Sequence, residues 1–189
     1  MPTQAPAPVT TPRLTALTDA IRAVVRQDLP PQETSELVAE RLRPFLAQPD
    51  LVPDEYLRGD PGGYTQHLLH AEDDGSFSIV ALVWLPGQQT PVHDHVAWCV
   101  TGVHLGAEQE DRYEIAGPPS DRFLLPAETA VNDTGSVCGF APPGDIHRVR
   151  NSGSGLAVSL HIYGADISRL GTSIRREYRL PVRTRAELS

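Results

Sequence analysis

Gly87 to Gly106 reads GQQTPVHDHVAWCVTGVHLG, and its centre is His93-Asp94-His95. In an extended strand successive side chains alternate faces, so His93 and His95 point one way and Asp94 the other. Two imidazoles on one face of a strand are a natural pair of metal ligands. Ala97 and Cys99 continue along that face, which predicts Cys99 close to whatever the histidines hold. Pro-Gly before the pair, β-branched and aromatic residues around it, and Gly102 and Gly106 after it place the pair in a β framework.

A third ligand is expected from Pro142-Pro143-Gly144-Asp145-Ile146-His147-Arg148-Val149-Arg150-Asn151, where a Pro-Gly turn feeds a strand that carries His147 early. Outward from these two stretches lie short runs of strand-forming residues. They cover Tyr64–His70, Phe77–Leu85, Val96–Leu105, Asp111–Ile115, Asp121–Leu125, Ala130–Phe140, Ile146–Asn151 and Leu156–Tyr163, with Pro, Gly and Asn between them. Many short strands with no helix among them predict a mainly β barrel or sandwich. Ahead of them, Leu14, Leu17, Ile21, Val24 and Val25 form one helical stripe over Leu14–Gln27, and Leu37, Val38, Leu42 and Leu46 another over Pro31–Ala47. Pro53-Asp54-Glu55 opens a further helical turn. The expected organisation is a flexible tail over 1–12, helices over 13–58 and a barrel with a C-terminal extension over 59–189, all in one domain.

Composition sets outer bounds. The 189 residues suffice for one full core, and a net charge of -8 argues against a nucleic-acid surface and disfavours an anionic membrane. Two cysteines do not make a disulfide framework, so a reducing cytoplasm is expected. The N-terminus has neither a basic region nor an apolar run of the secretory kind, and no segment is apolar enough to span a bilayer.

The two central stretches resemble the two cupin motifs. Gly87, His93-x-His95, Cys99 and Gly106 fit the first, with Cys99 where a glutamate is usual, and Pro142-x-Gly144-x-x-His147-x-x-x-Asn151 fits the second. Ser159-Leu160-His161-Ile162-Tyr163 looks like the Ser-x-His-x-Tyr element of the cysteine dioxygenase family of thiol dioxygenases. The resemblance implies a cupin barrel with an N-terminal helical flank. It implies Fe(II) on His93, His95 and His147, with Ser159, His161 and Tyr163 as a hydrogen-bonded relay. It further implies a small thiol and O2 as substrates and a sulfinic acid as product.

Cysteine-specific members carry arginine after the Tyr-Thr of the first strand, whereas this chain has Gln66. Gln66 resembles the bacterial 3-mercaptopropionate dioxygenases, in which a C-terminal arginine takes the substrate carboxylate. Arg175 and Arg176 are the candidates, and Arg169 a weaker one. Cys99 lies near the place from which eukaryotic members form a thioether to the tyrosine, so a Cys99–Tyr163 bond is a further candidate. Three histidines also suit zinc, and a cupin acting on a non-thiol substrate or serving as a ligand sensor stays open. His67, His70 and His104 are expected as ordinary polar residues, Cys138 as a small core residue, and Trp84 and Trp98 as core or pocket wall. The sequence leaves the oligomeric state undetermined.

Overall fold

In the computed structural model, which describes residues 10–188, two helices precede two five-stranded sheets. The expected tail over 1–12 falls largely outside the described residues. Its last residues, Thr11 and Pro12, already shape the first helix, α1 (Pro12–Val25). Thr11 caps it by accepting from the Leu14 N–H at 3.0 Å, and Pro12 gives up an N–H that has no partner in a first turn anyway. The second helix, α2, spans Pro31–Leu42 and tightens into a 3-10 turn at Arg43–Phe45. It was expected to run on to Ala47. Pro44 prevents this, because its ring lacks the N–H that an α-helical turn requires.

The strands are β1 (Thr65–Ala71), β2 (Ser78–Trp84), β3 (His93–His95), β4 (Cys99–Leu105), β5 (Ala107–Ala116), β6 (Phe123–Asp133), β7 (Val137–Phe140), β8 (His147–Asn151), β9 (Ala157–Tyr163) and β10 (Ile174–Glu177). One sheet has the order β1-β2-β9-β4-β7 and the other β10-β3-β8-β5-β6. This is the expected mainly β architecture with N-terminal helices. Two features of its second half depart from expectation. β5 starts four residues earlier, since Glu108 and Glu110 face the interior and disguise the polar–apolar alternation. Phe123–Asp133 is one continuous strand across Pro126, and the break comes instead at Thr134–Ser136. β6 ends its sheet, where a residue without an N–H is tolerated, and the register shifts opposite Pro126. The C-terminal segment supplies β10 against β3, and Val182 bridges to Leu124.

β2 and β9 pair antiparallel in full register and are buried on both faces. Ile79, Ala81 and Val83 of β2 join Leu160 and Ile162 of β9 in a core closed by Leu14, Leu17, Ile21 and Leu42 from the helices. The opposite face sends Val80, Leu82 and Trp84, with Ala157 and Tyr163, into the barrel. The side-chain period of two thus gives β9 one helix-packing face and one interior face, and Ser159, His161 and Tyr163 all lie on the latter. The helices sit close because the sheet beneath them is thin: a Cβ on Gly139 would lie 2.6 Å from the Ser35 carbonyl oxygen in α2.

Candidate metal centre

His93 and His147 are directly paired across β3 and β8, and His95 lies one full period along β3. The three ring centroids are 4.7 to 5.0 Å apart, and one ligand nitrogen of each ring lies within 4.8 Å of the others. All three side chains are buried. In each ring Nδ1 is engaged by an acceptor: the Pro91 carbonyl at 2.9 Å for His93, Asp145 Oδ2 at 3.0 Å for His95, and Glu110 Oε1 at 2.8 Å for His147. With the proton of each neutral imidazole on Nδ1, every Nε2 is left as a lone-pair donor. Burial, then the neighbouring His147 and His95, holds the His93 pKa down to about 3, so that ring is neutral at physiological pH. Three buried imidazoles, each with Nδ1 held by an acceptor, fit a metal ion of borderline softness.

Glu110 and Asp145 are residues that the sequence reading missed. Burial alone would raise the Glu110 pKa, but the hydrogen bond and charge of His147, with Arg112, bring it down to about 2. Asp145 is held below the usual carboxylate range against its burial by hydrogen bonds from the His95 side chain and backbone. Asp145 stood within the quoted turn, two residues before His147, and that proximity was the available signal. Glu110 carried none, because its pairing with His147 joins residues 37 apart in sequence.

Cys99 does not continue the strand of the histidines. The chain leaves β3 after His95 and enters the other sheet at Cys99, the first residue of β4. Cys99 is nevertheless interior, and its direct cross-strand partner is Tyr163. Two residues opposed in that way share one face of the sheet, the arrangement a thioether would need. From Tyr163 a chain of hydrogen bonds runs inward: its hydroxyl is 3.2 Å from His161 Nδ1, and His161 Nε2 is 3.1 Å from Ser159 Oγ. Trp84 Nε1–H donates to the same Ser159 oxygen at 3.2 Å. Burial, then the three neighbouring histidines, depresses the His161 pKa to about 3, and burial raises that of Tyr163 well above the usual phenol.

A cavity of about 70 Å³ opens on this group, lined by Gln66, His93, Tyr163 and Thr172 among others. Arg175 and Arg176, expected at a substrate carboxylate, do not line it. β10 pairs with β3, and the irregularity between Ile174 and Arg176 turns Arg175 to the side of Asp94, the face opposite the imidazoles. Arg176 lies over the Tyr178 ring, and Arg169 is bound to Asp166. A second cavity, about 110 Å³, lies among Glu110, Arg112 and Asp145, on the carboxylate side of His147 and away from Tyr163. The remaining histidines stay outside the centre: His67 stacks on Tyr56, His70 bonds Glu72, and His104 Nδ1 meets the Leu46 carbonyl. Cys138, expected as a small core residue, is half-buried and receives an N–H from Arg112.

Among known proteins, the sequence model described as cysteine dioxygenase type I matches residues 10–172. Cysteine dioxygenase type 1 of Rattus norvegicus and that of Mus musculus are each 26% identical over 134 residues, 68% of this chain and 66% of the relative. The alignment thus spans just under two thirds of either relative. Solved structures with a similar outline include an uncharacterized conserved protein with a double-stranded β-helix domain from Klebsiella pneumoniae (20% identity, TM-score 0.43, 60% of this chain and 86% of that one). A Cupin 2 conserved barrel domain protein from Salinispora arenicola is 17% identical, with TM-score 0.42 over 64% of this chain and 89% of its own. Among the described residues no helix is long and apolar enough to cross a membrane.

Proposed function

The chain belongs to the cysteine dioxygenase type I family, and on that premise we propose that it is an iron-dependent thiol dioxygenase. Its substrate is a small thiol carboxylic acid, with 3-mercaptopropionate ahead of cysteine, and its product is the sulfinic acid. The observation that carries the reading is the convergence of His93, His95 and His147, each with Nδ1 already engaged, beside the Ser159–His161–Tyr163 chain. When bound, Fe(II) would supply a cationic centre that favours thiolate over thiol and brings sulfur and O2 within bonding distance.

The protein's own groups do the rest. Imidazole ligands bring no negative charge, so His93, His95 and His147 would leave the whole charge of a bound metal to attract an anionic sulfur. Tyr163, kept protonated by burial, presents a hydroxyl at the cavity as a hydrogen-bond donor. Gln66 occupies the cavity wall where an arginine would clamp an α-amino acid carboxylate, and it offers an amide instead. No arginine or lysine lines this cavity among the described residues, so a carboxylate there is held by the neutral donors Gln66 and Tyr163. The small volume excludes bulky thiols and restricts water beside the reacting atoms.

The test is anaerobic loading with ferrous iron, followed by oxygen uptake and mass detection of sulfinate across a panel of small thiols. Uptake that requires the thiol, with 3-mercaptopropionate fastest, is the expected result. A loaded protein that consumes no oxygen with any thiol would end the proposal.

A further inference from the structure

The inner end of the Ser159 chain is occupied by a carboxyl that the proposed reaction does not use. Glu108, on β5, is 3% exposed, and its side chain lies against the Ser159 hydroxyl and the Trp84 indole. Its Oε1 has no partner. A buried carboxylate in that condition is costly, whereas a protonated carboxyl can donate to a neighbour. We propose that Glu108 is a positioning residue, and that the proton it holds or lacks sets the direction of the hydrogen bonds from Ser159 through His161 to Tyr163. The inference takes the importance of Tyr163 from the proposed reaction, but its own content is a tautomer in the folded protein.

Each member has a fixed supply of donors and acceptors, which allows two arrangements. With Glu108 ionised, Ser159 donates to the carboxylate and accepts from His161 Nε2–H. His161 Nδ1 then accepts from the Tyr163 hydroxyl, whose proton is turned away from the cavity. With Glu108 protonated, its O–H donates to Ser159, and Ser159 donates to His161 Nε2. The ring proton now sits on Nδ1 and points at the Tyr163 oxygen, so the Tyr163 O–H is free to face the cavity. The second arrangement holds one proton more, the one on Glu108. In both, Ser159 still accepts the Trp84 N–H.

The balance between them falls in a useful range. Burial raises the Glu108 pKa, hydrogen bonds from Ser159 and Trp84 partly oppose this, and Glu110 adds to it, leaving it at about 7. The titratable groups around it are Glu110 on its own strand, His161 and Tyr163 on β9, and Cys138 on β7, which lines the same small cavity. Its cross-strand partners, Asn132 on β6 and Asn151 on β8, carry no charge. Arg148 and Arg150 of β8 turn instead to Asp111 and Gln109. His161 itself stays neutral through this range, so a change in its signals reports the position of its proton rather than protonation.

The experiment uses metal-free, full-length protein with 15N-labelled histidine, with the His161 signals assigned by their loss in His161→Gln. In the wild type they are expected to pass from the Nε2–H pattern at pH 8.5 to the Nδ1–H pattern at pH 5.5. In Glu108→Gln the transition should vanish, and in Ser159→Ala it should vanish although Glu108 is intact. A His161 tautomer that does not respond to pH in the wild type, or responds equally in both variants, overturns the proposal. Because no turnover is read, failure of the thiol dioxygenase assignment would leave this result intact.

Discussion

Asp145 binds His95 twice through one oxygen: Oδ2 receives the backbone N–H at 2.9 Å and lies 3.0 Å from the ring Nδ1. The loop before β8 thereby fixes both the rotation and the tautomer of a ring on β3. Asp145→Asn leaves the shape and weakens the acceptor. Metal affinity, measured by calorimetric titration of the metal-free protein, should fall by about 10–100-fold, the usual cost of losing such a partner. Unchanged affinity would mean that the ring is held by packing alone.

His147 is the one imidazole of the three contributed from outside β3. His147→Ala should remove stoichiometric iron and abolish thiol-dependent oxygen uptake, while the barrel still melts cooperatively. Iron retained with turnover would exclude His147 from the metal set.

Gln66 lines the cavity beside His93 and Tyr163. Gln66→Arg introduces a cation suited to an α-amino acid carboxylate. The ratio of kcat/KM for cysteine to that for 3-mercaptopropionate should rise by at least about 10-fold, equivalent to about 1.4 kcal/mol. Equal ratios in the two proteins would reject Gln66 as the selector.

Helix α1 is tied to the end of β1 by Arg22, whose Nε and Nη2 bond the two oxygens of Glu72 at 2.6 and 2.9 Å. The Arg22 hydrogen bonds, opposed by burial and assisted by His70, bring the Glu72 pKa down from 4.5 to about 2. The folded value lies below the unfolded one, so the stabilisation is complete above about pH 4.5 and is lost as pH falls toward 2. Arg22→Ala should lower stability at pH 7 by about 1.5–3 kcal/mol and shrink that acid-sensitive step in denaturant titrations. A variant with the wild-type pH slope would show that the pair contributes nothing.

Gly139 of β7 passes beneath α2 at backbone distance. Its Cβ would meet the Ser35 carbonyl oxygen at 2.6 Å and the Ser35 carbonyl carbon at 3.0 Å. Backbone cannot rotate away as a side chain can, so Gly139→Ala should destabilise by about 1–3 kcal/mol. A melting temperature unchanged from the wild type would show that the helix shifts freely on the sheet.

Much of this architecture was legible because it is written in short periods. Alternation placed Ser159, His161 and Tyr163 on one face of β9, and the helical stripe marked Leu14, Leu17 and Ile21 for burial. Legibility failed where residues act at long separation or against type. Glu108 and Glu110 are acids inside a barrel, so their strand read as too polar to begin where it does. Pro126 looked like a break, and only a place at the end of a sheet made it tolerable. Arg175 was drawn toward a substrate by the family resemblance alone, but pairing of β10 with β3 set it against Asp94.

By itself the sequence determined which side chains share a face, because the strand period is a local property of the backbone. It thereby determined that His93 and His95 travel together and that Ser159, His161 and Tyr163 form a row. Only the tertiary structure decided that β8 lies beside β3, which brings His147 to the pair, that Glu110 and Asp145 stand behind the rings, and that Glu108 lies beside Ser159. Sheet order joins residues dozens of positions apart, and no local preference of the chain encodes that distance.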